Sequence, residues 1–92
     1  MFQMLRQRLP LGGAPMRSRM IEWIPVSHSS RIIAEAYDPN TETIYVRFPE
    51  GVEWWYSACP PQVWTEFTAP GQSRGQYIKE VLNFKPNGRH GG

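Results

Sequence analysis

A chain of 92 residues with 40% hydrophobic and 13% aromatic side chains has room for one domain and no more. Its one cysteine, Cys59, excludes an internal disulfide and a zinc site of ordinary Cys/His spacing, and no run of about 18 apolar residues is present to span a membrane. The net charge of +2 is unevenly spread: Arg6, Arg8, Arg17 and Arg19 stand without an acid in residues 1–21, Lys85 and Arg89 lie near the end, and the segment between is acidic.

Residues 1–22 read as a flexible basic arm. Phe2, Leu5 and Leu9 have helical spacing, but Pro10, Gly12, Gly13 and Pro15 stop the pattern, and so short a helix is marginal in water. Such an arm suits nucleic acid or an anionic lipid surface, or it is a solvated extension. The folded domain is expected over residues 23–84. Ile24-Pro25-Val26 is extended, because proline disfavours a helical residue before it. From Ser29 to Tyr37 the chain alternates, with Ile32, Ala34 and Ala36 on one face and Arg31, Ile33 and Glu35 on the other. Asp38-Pro39-Asn40 marks a turn. Thr43 to Phe48 is a strand with Ile44, Val46 and Phe48 inward and Tyr45 and Arg47 outward. After the turn at Pro49-Glu50-Gly51 a third strand runs from Val52 to Ser57. There Trp54 and Tyr56 share the inward face, and Trp55 points away. Three strands joined by short turns make an antiparallel meander.

Pro60-Pro61 opens a helix whose apolar face is Val63, Trp64 and Phe67, and Pro70-Gly71 closes it. Ser73 is a natural N-cap for a second helix with the stripe Tyr77, Ile78, Val81 and Leu82. Gly75, early in that helix, admits the close approach of another segment. Residues 85–92 read as a flexible C-terminal tail. The expected fold class is α+β, a three-stranded antiparallel β-meander followed by two short helices packed on one face. Burying an aromatic ring removes about 150–250 Å² from water, an upper bound of roughly 4–6 kcal/mol before entropy. The four tryptophans are therefore the natural anchors, with Trp54, Tyr56, Trp64, Phe67 and Tyr77 assigned to the core.

Outward parity brings Tyr45, Arg47 and Trp55 onto one surface, the candidate binding site. Flat rings stack single-stranded bases at about 1–3 kcal/mol each. Arg31 and Arg74 are candidates for added phosphate contacts, the main source of non-specific affinity. The same residue types anchor protein interfaces, and an unpaired outer strand invites a second chain. Glu53 borders Trp55, and the acidic middle opposes nucleic acid without opposing a protein partner or self-association. Catalysis is not expected. Neighbouring residues in His28-Ser29-Ser30 point apart, so the serines are expected to make local hydrogen bonds. Cys59 is expected to be a buried thiol, and Ser73-Arg74-Gly75-Gln76 an ordinary helix cap. His28 and His90 are too few and too separate for a metal site, and no cofactor is expected. The lone cysteine and the lack of an apolar leader lead to the expectation of a cytoplasmic protein.

The order of these features resembles the KTSC domain, named for the C-terminus of some lysyl-tRNA synthetases and found also in small proteins of bacteria and phages. The resemblance rests on Ser29-Ser30-Arg31-Ile32, Ala36-Tyr37-Asp38, Phe48-Pro49-Glu50-Gly51, Cys59-Pro60-Pro61-Gln62-Val63-Trp64 and Ser73-Arg74-Gly75-Gln76-Tyr77-Ile78. It covers roughly Val26 to Leu82. At the family's Tyr-x-Tyr the first position is Trp54 and the second Tyr56, so a hydroxyl is exchanged for an indole N–H. The resemblance implies no catalytic residues. Its synthetase context implies RNA as a partner, an expectation by association.

Overall fold

A computed structural model describes residues 21–91. Apart from Ile21 and Glu22, the arm expected over residues 1–22 lies outside the described residues. The sheet has five antiparallel strands in the order β1-β2-β3-β4-β5: β1 Ile24–Pro25, β2 Ala34–Asp38, β3 Thr43–Arg47, β4 Glu53–Tyr56 and β5 Asn87–Arg89. Helices α1 (Pro61–Phe67) and α2 (Arg74–Glu80) and a 3-10 turn (Leu82–Phe84) come between β4 and β5. The class is α+β as expected, and β2 to β4 are the meander read from the sequence. The sheet has five strands rather than three.

Both additional strands are short and lie at the edges. β1 pairs Ile24 with Glu35, and beyond it the Val26 N–H donates to the Ile33 carbonyl at 2.9 Å. β5 occupies the stretch read as a flexible tail. Its backbone brackets β4: Ser57 N–H donates to the Pro86 carbonyl and His90 N–H to the Glu53 carbonyl, each at 2.9 Å. The indole N–H of Trp54 donates to Asn87 Oδ1 at 2.9 Å. Trp54 thus gives β4 a side-chain donor that helps to hold β5. Asn-Gly-Arg has no apolar alternation, so nothing in its own pattern announces a strand.

β2 starts later than its alternation implies. Ser29 Oγ accepts the backbone N–H groups of Arg31 (3.0 Å) and Ile32 (3.4 Å), which bends residues 29–32 into a turn. The register then decides the faces. Glu35 is opposite Val46, and Tyr37 opposite Ile44, on the side that also carries Trp54 and Tyr56. Ala34 and Ala36 are opposite Arg47 and Tyr45 on the other side.

The helices cover the first of these faces. Pro60 and Pro61 start α1, and Ser73 Oγ caps α2 by accepting the Gln76 N–H at 3.2 Å. Ile32, Ile44, Val46, Tyr56, Phe67, Ile78 and Leu82 are fully buried among them. Tyr37 stacks on Trp64 with ring centroids 5.3 Å apart and donates its hydroxyl to the Cys59 carbonyl at 2.7 Å. Tyr77 donates to Glu66 at 2.9 Å. The core assignments of Tyr56, Phe67 and Tyr77 hold, whereas Trp54 and Trp64 are only partly buried against the core. Trp23 and Trp55, also half-buried, belong to the opposite side of the sheet. The anchors are therefore Tyr, Phe and branched aliphatic residues, with no tryptophan fully inside.

One charged pair crosses from sheet to helix. Arg74 Nε and Nη2 donate to the two carboxylate oxygens of Glu35 at 2.7 and 3.0 Å, and the side chains are 6% and 5% exposed. The Arg74 guanidinium also stands 5.3 Å from the Phe67 ring centre. Bidentate geometry offsets desolvation of both ions, and removing one partner strands the other. Arg74→Met is expected to cost about 3–5 kcal/mol in urea denaturation. Glu35→Leu combined with Arg74→Met should recover most of that loss; equal losses in the single and double variants would refute the pairing.

Burial pushes the Tyr56 phenol up to about 12 from an ordinary value of 10.0, and the charge of Arg31 only partly counters it. The unfolded chain therefore loses this proton at lower pH than the folded one. The associated stability is intact below pH 10 and falls as pH rises from 10 through 12. Thermal unfolding followed over this alkaline range should show a shallower decline for Tyr56→Phe than for the parent protein. Parallel declines would exclude Tyr56 as a cause.

Candidate functional site

The candidate site lies on the sheet face away from the helices. Three strands build it in matched register: Tyr45 of β3 is opposite Trp55 of β4, Arg47 is opposite Glu53, and Trp55 is in turn opposite Gly88 of β5. The small side chains of Ala34 and Ala36 leave the β2 side of this face low. Both alanines are nevertheless buried. The Trp23 ring packs against their cross-strand partners, edge-on to Tyr45 at 6.4 Å and 4.4 Å beneath the Arg47 guanidinium. From the other end of the domain, His90 meets Tyr45 edge-on at 5.0 Å.

Electrostatics limit what this face can hold. Arg47 Nε donates to Glu53 Oε2 at 2.8 Å, with both side chains about a quarter to a third exposed (32% and 26%). This cross-strand pair cancels most of the local positive charge. Beside Tyr45 a cavity of about 310 Å³ opens between the Asp38-Pro39-Asn40 turn and Glu22. Burial, and then the Asp38 carboxylate, raises the Tyr45 phenol above its ordinary value. The margin near Tyr45 is therefore acidic.

Tyr45, Arg47 and Trp55 share the outer face, with Tyr45 directly opposite Trp55. Arg31 and Arg74 do not join it. Arg31 lies on the helix side of the sheet with its guanidinium over the Phe48 ring at 5.3 Å. Arg74 is spent on Glu35 and buried, so it gives no phosphate contact to this face. Trp23, read as a core anchor, joins the grouping instead, as do Gly88 and His90, which the sequence reading does not include. Trp23 precedes a strand of only two residues, and the other two lie in the stretch without alternation.

Ser29 Oγ is engaged in its local turn. Cys59 is buried with its thiol directed at the Tyr56 and Ser57 carbonyls, and burial pushes the thiol up, away from the reactive thiolate. Among the described residues, no three His, Cys, Asp or Glu side chains gather as metal ligands do, and no helix is long and apolar enough to cross a membrane.

Gly88 fixes how the face closes. A Cβ built there would stand 2.8 Å from Cζ2 of Trp55, closer than packed atoms tolerate, and an indole ring cannot yield as a flexible tip would. Gly88→Ala is therefore expected to cost about 1–3 kcal/mol and to alter tryptophan fluorescence through the displaced Trp55 ring. Unchanged stability and emission would contradict this packing.

A comparison with known proteins agrees with the architecture. The family model of the KTSC domain matches residues 28–83, which hold β2 to β4 and both helices. A crystal structure of a KTSC domain protein from Yersinia pestis is similar, with a TM-score of 0.67 and 26% identity over 77% of this chain and 99% of that one. No curated protein matches the chain. With the family model spanning well over half its length and a solved family member sharing its fold, the chain belongs to the KTSC domain family.

Proposed function

We propose that the domain is a non-catalytic binding module whose outer sheet face takes a protein partner, either another protein or a second copy of this chain. The observation that carries this reading is the Arg47–Glu53 pair in the middle of a half-exposed aromatic cluster. Trp, Tyr and Arg are the side chains that dominate interface energetics, and the cores of such interfaces carry little unpaired charge. Trp23, Tyr45, Arg47 and Trp55 fit that description.

Charge favours protein over nucleic acid. A strand of RNA needs free cations beside its stacking rings. Of the three arginines read as contacts, Arg47 is paired, Arg74 is buried with Glu35, and Arg31 lies on the helix side. Glu22 and Asp38 near Tyr45 would repel phosphates and attract a basic side chain. The preferred partner segment is therefore apolar with a lysine or arginine that enters the cavity beside Tyr45. Strand addition at an edge is the weaker mode, since β1 has two residues including Pro25 and β5 has three.

Site-specific photo-crosslinking tests the proposal. A photoreactive phenylalanine analogue in place of Tyr45 should give protein adducts in cells. The same group at exposed Thr65 of α1 should not, and Trp55→Ala should reduce the yield. A dimer-sized adduct identifies self-association. Adducts with RNA, or equal protein labelling from positions 45 and 65, would overturn the assignment.

A further inference from the structure

A second concavity lies on the helix side of the sheet, where residues 28–31 meet residues 72–75. Its volume is about 210 Å³. Gly75 lets the two segments approach: a Cβ there would already touch the Arg31 side chain at 3.3 Å. The outer aromatic face contributes nothing to it.

Hydrogen-bond capacity defines what this cavity can accept. Ser29 Oγ already accepts from the N–H groups of Arg31 and Ile32, and Ser73 Oγ from that of Gln76. Each serine hydroxyl therefore keeps its proton to donate. Arg31 lines the cavity with its guanidinium 5.3 Å from the Phe48 ring centre, a contact that uses none of its N–H donors. Arg74 lines the same cavity. Its Nε and Nη2 are taken by Glu35, but Nη1 has only a long 3.5 Å contact to the Gln72 carbonyl, in a side chain 6% exposed. A buried guanidinium donor so weakly engaged is costly unless a ligand or water completes it. No acid is among the lining residues, and His28 and Ser30 add to their polar character.

From this excess of donors over acceptors we propose that the cavity binds a phosphate group, held by Arg31, Ser29, Ser30, Ser73 and Arg74 Nη1. A planar guanidinium suits two oxygens of a tetrahedral oxyanion. The cavity exceeds the size of phosphate alone, so both the free anion and a small phosphate monoester fit its chemistry.

The test is an NMR titration of the full chain with inorganic phosphate and, separately, with a nucleoside 5′-monophosphate, at low constant ionic strength. Saturable shifts are expected at the amides of residues 28–31 and 72–75, and not at Tyr45 or Trp55. Arg31→Gln should weaken binding about tenfold or more. Ser30→Ala, at an exposed position, should weaken it several-fold without loss of fold. Binding of the monoester alone identifies an ester ligand, and binding of both identifies the phosphate itself. Shifts spread over the surface, affinity unchanged in both variants, or no saturation with either probe would overturn the site. These results are independent of crosslinking from position 45, so either proposal can fail alone.

Discussion

The buried pairing of Glu35 with Arg74 organises this domain. On β2, Ala34 and Ala36 share one face, and Glu35 and Tyr37 share the other. An unpaired Glu35 carboxylate would oppose turning its face inward. Arg74 reverses that preference. It offers the Glu35 carboxylate two N–H donors from α2, so the charged residue faces the helices and the alanines face away. Only then are Val46 and Ile44 level with Glu35 and Tyr37 under the helical layer. A carboxylate this buried without its guanidinium would be strongly disfavoured. The pair therefore ties the orientation of β2 to the docking of α2, two features separated by nearly half the chain.

The same reversal shapes the outer face. Had larger side chains occupied positions 34 and 36, the β2 side would stand level with β3. Alanines instead leave a shallow region where Trp23 packs against Tyr45 and Arg47. At the other edge Gly88 gives Trp55 the space its ring requires, and His90 closes on Tyr45. The outward aromatics are consequently half-covered by both ends of the domain. This explains how a small sheet carries so many rings on its uncovered side without exposing any one fully.

Much of this was legible in the sequence. The meander, the proline-opened first helix, the Ser73 cap and the parity of Tyr45, Arg47 and Trp55 all follow from local rules, because turn residues and alternation act over a few positions. The failures share one cause. β5 is held by backbone bonds to β4 and by the Trp54–Asn87 contact, not by a pattern of its own. The burial of Arg74 depends on a residue 39 positions away. Trp54, read as an anchor, is half-buried because its ring packs on the core while its indole N–H reaches Asn87. Long-range partners decide such cases, and one sequence does not display them.

The division between family scaffold and edges bears on function. The segment matching the KTSC family contains Tyr45, Arg47 and Trp55, while Trp23, Gly88 and His90 fall outside it. The outer face is thus composite: its floor comes from the family meander and its rim from the flanking strands. On the protein-binding reading, the floor supplies the aromatic anchors, while the rim sets how much of each ring a partner can reach. Trp54 links the two, since its indole N–H donates to Asn87 and so holds the strand that carries Gly88. A tyrosine at that position would present its polar group farther from the backbone and in another direction. The Trp54–Asn87 contact adds a side-chain tie to the backbone bonds that position β5, and together they set the shape of the rim.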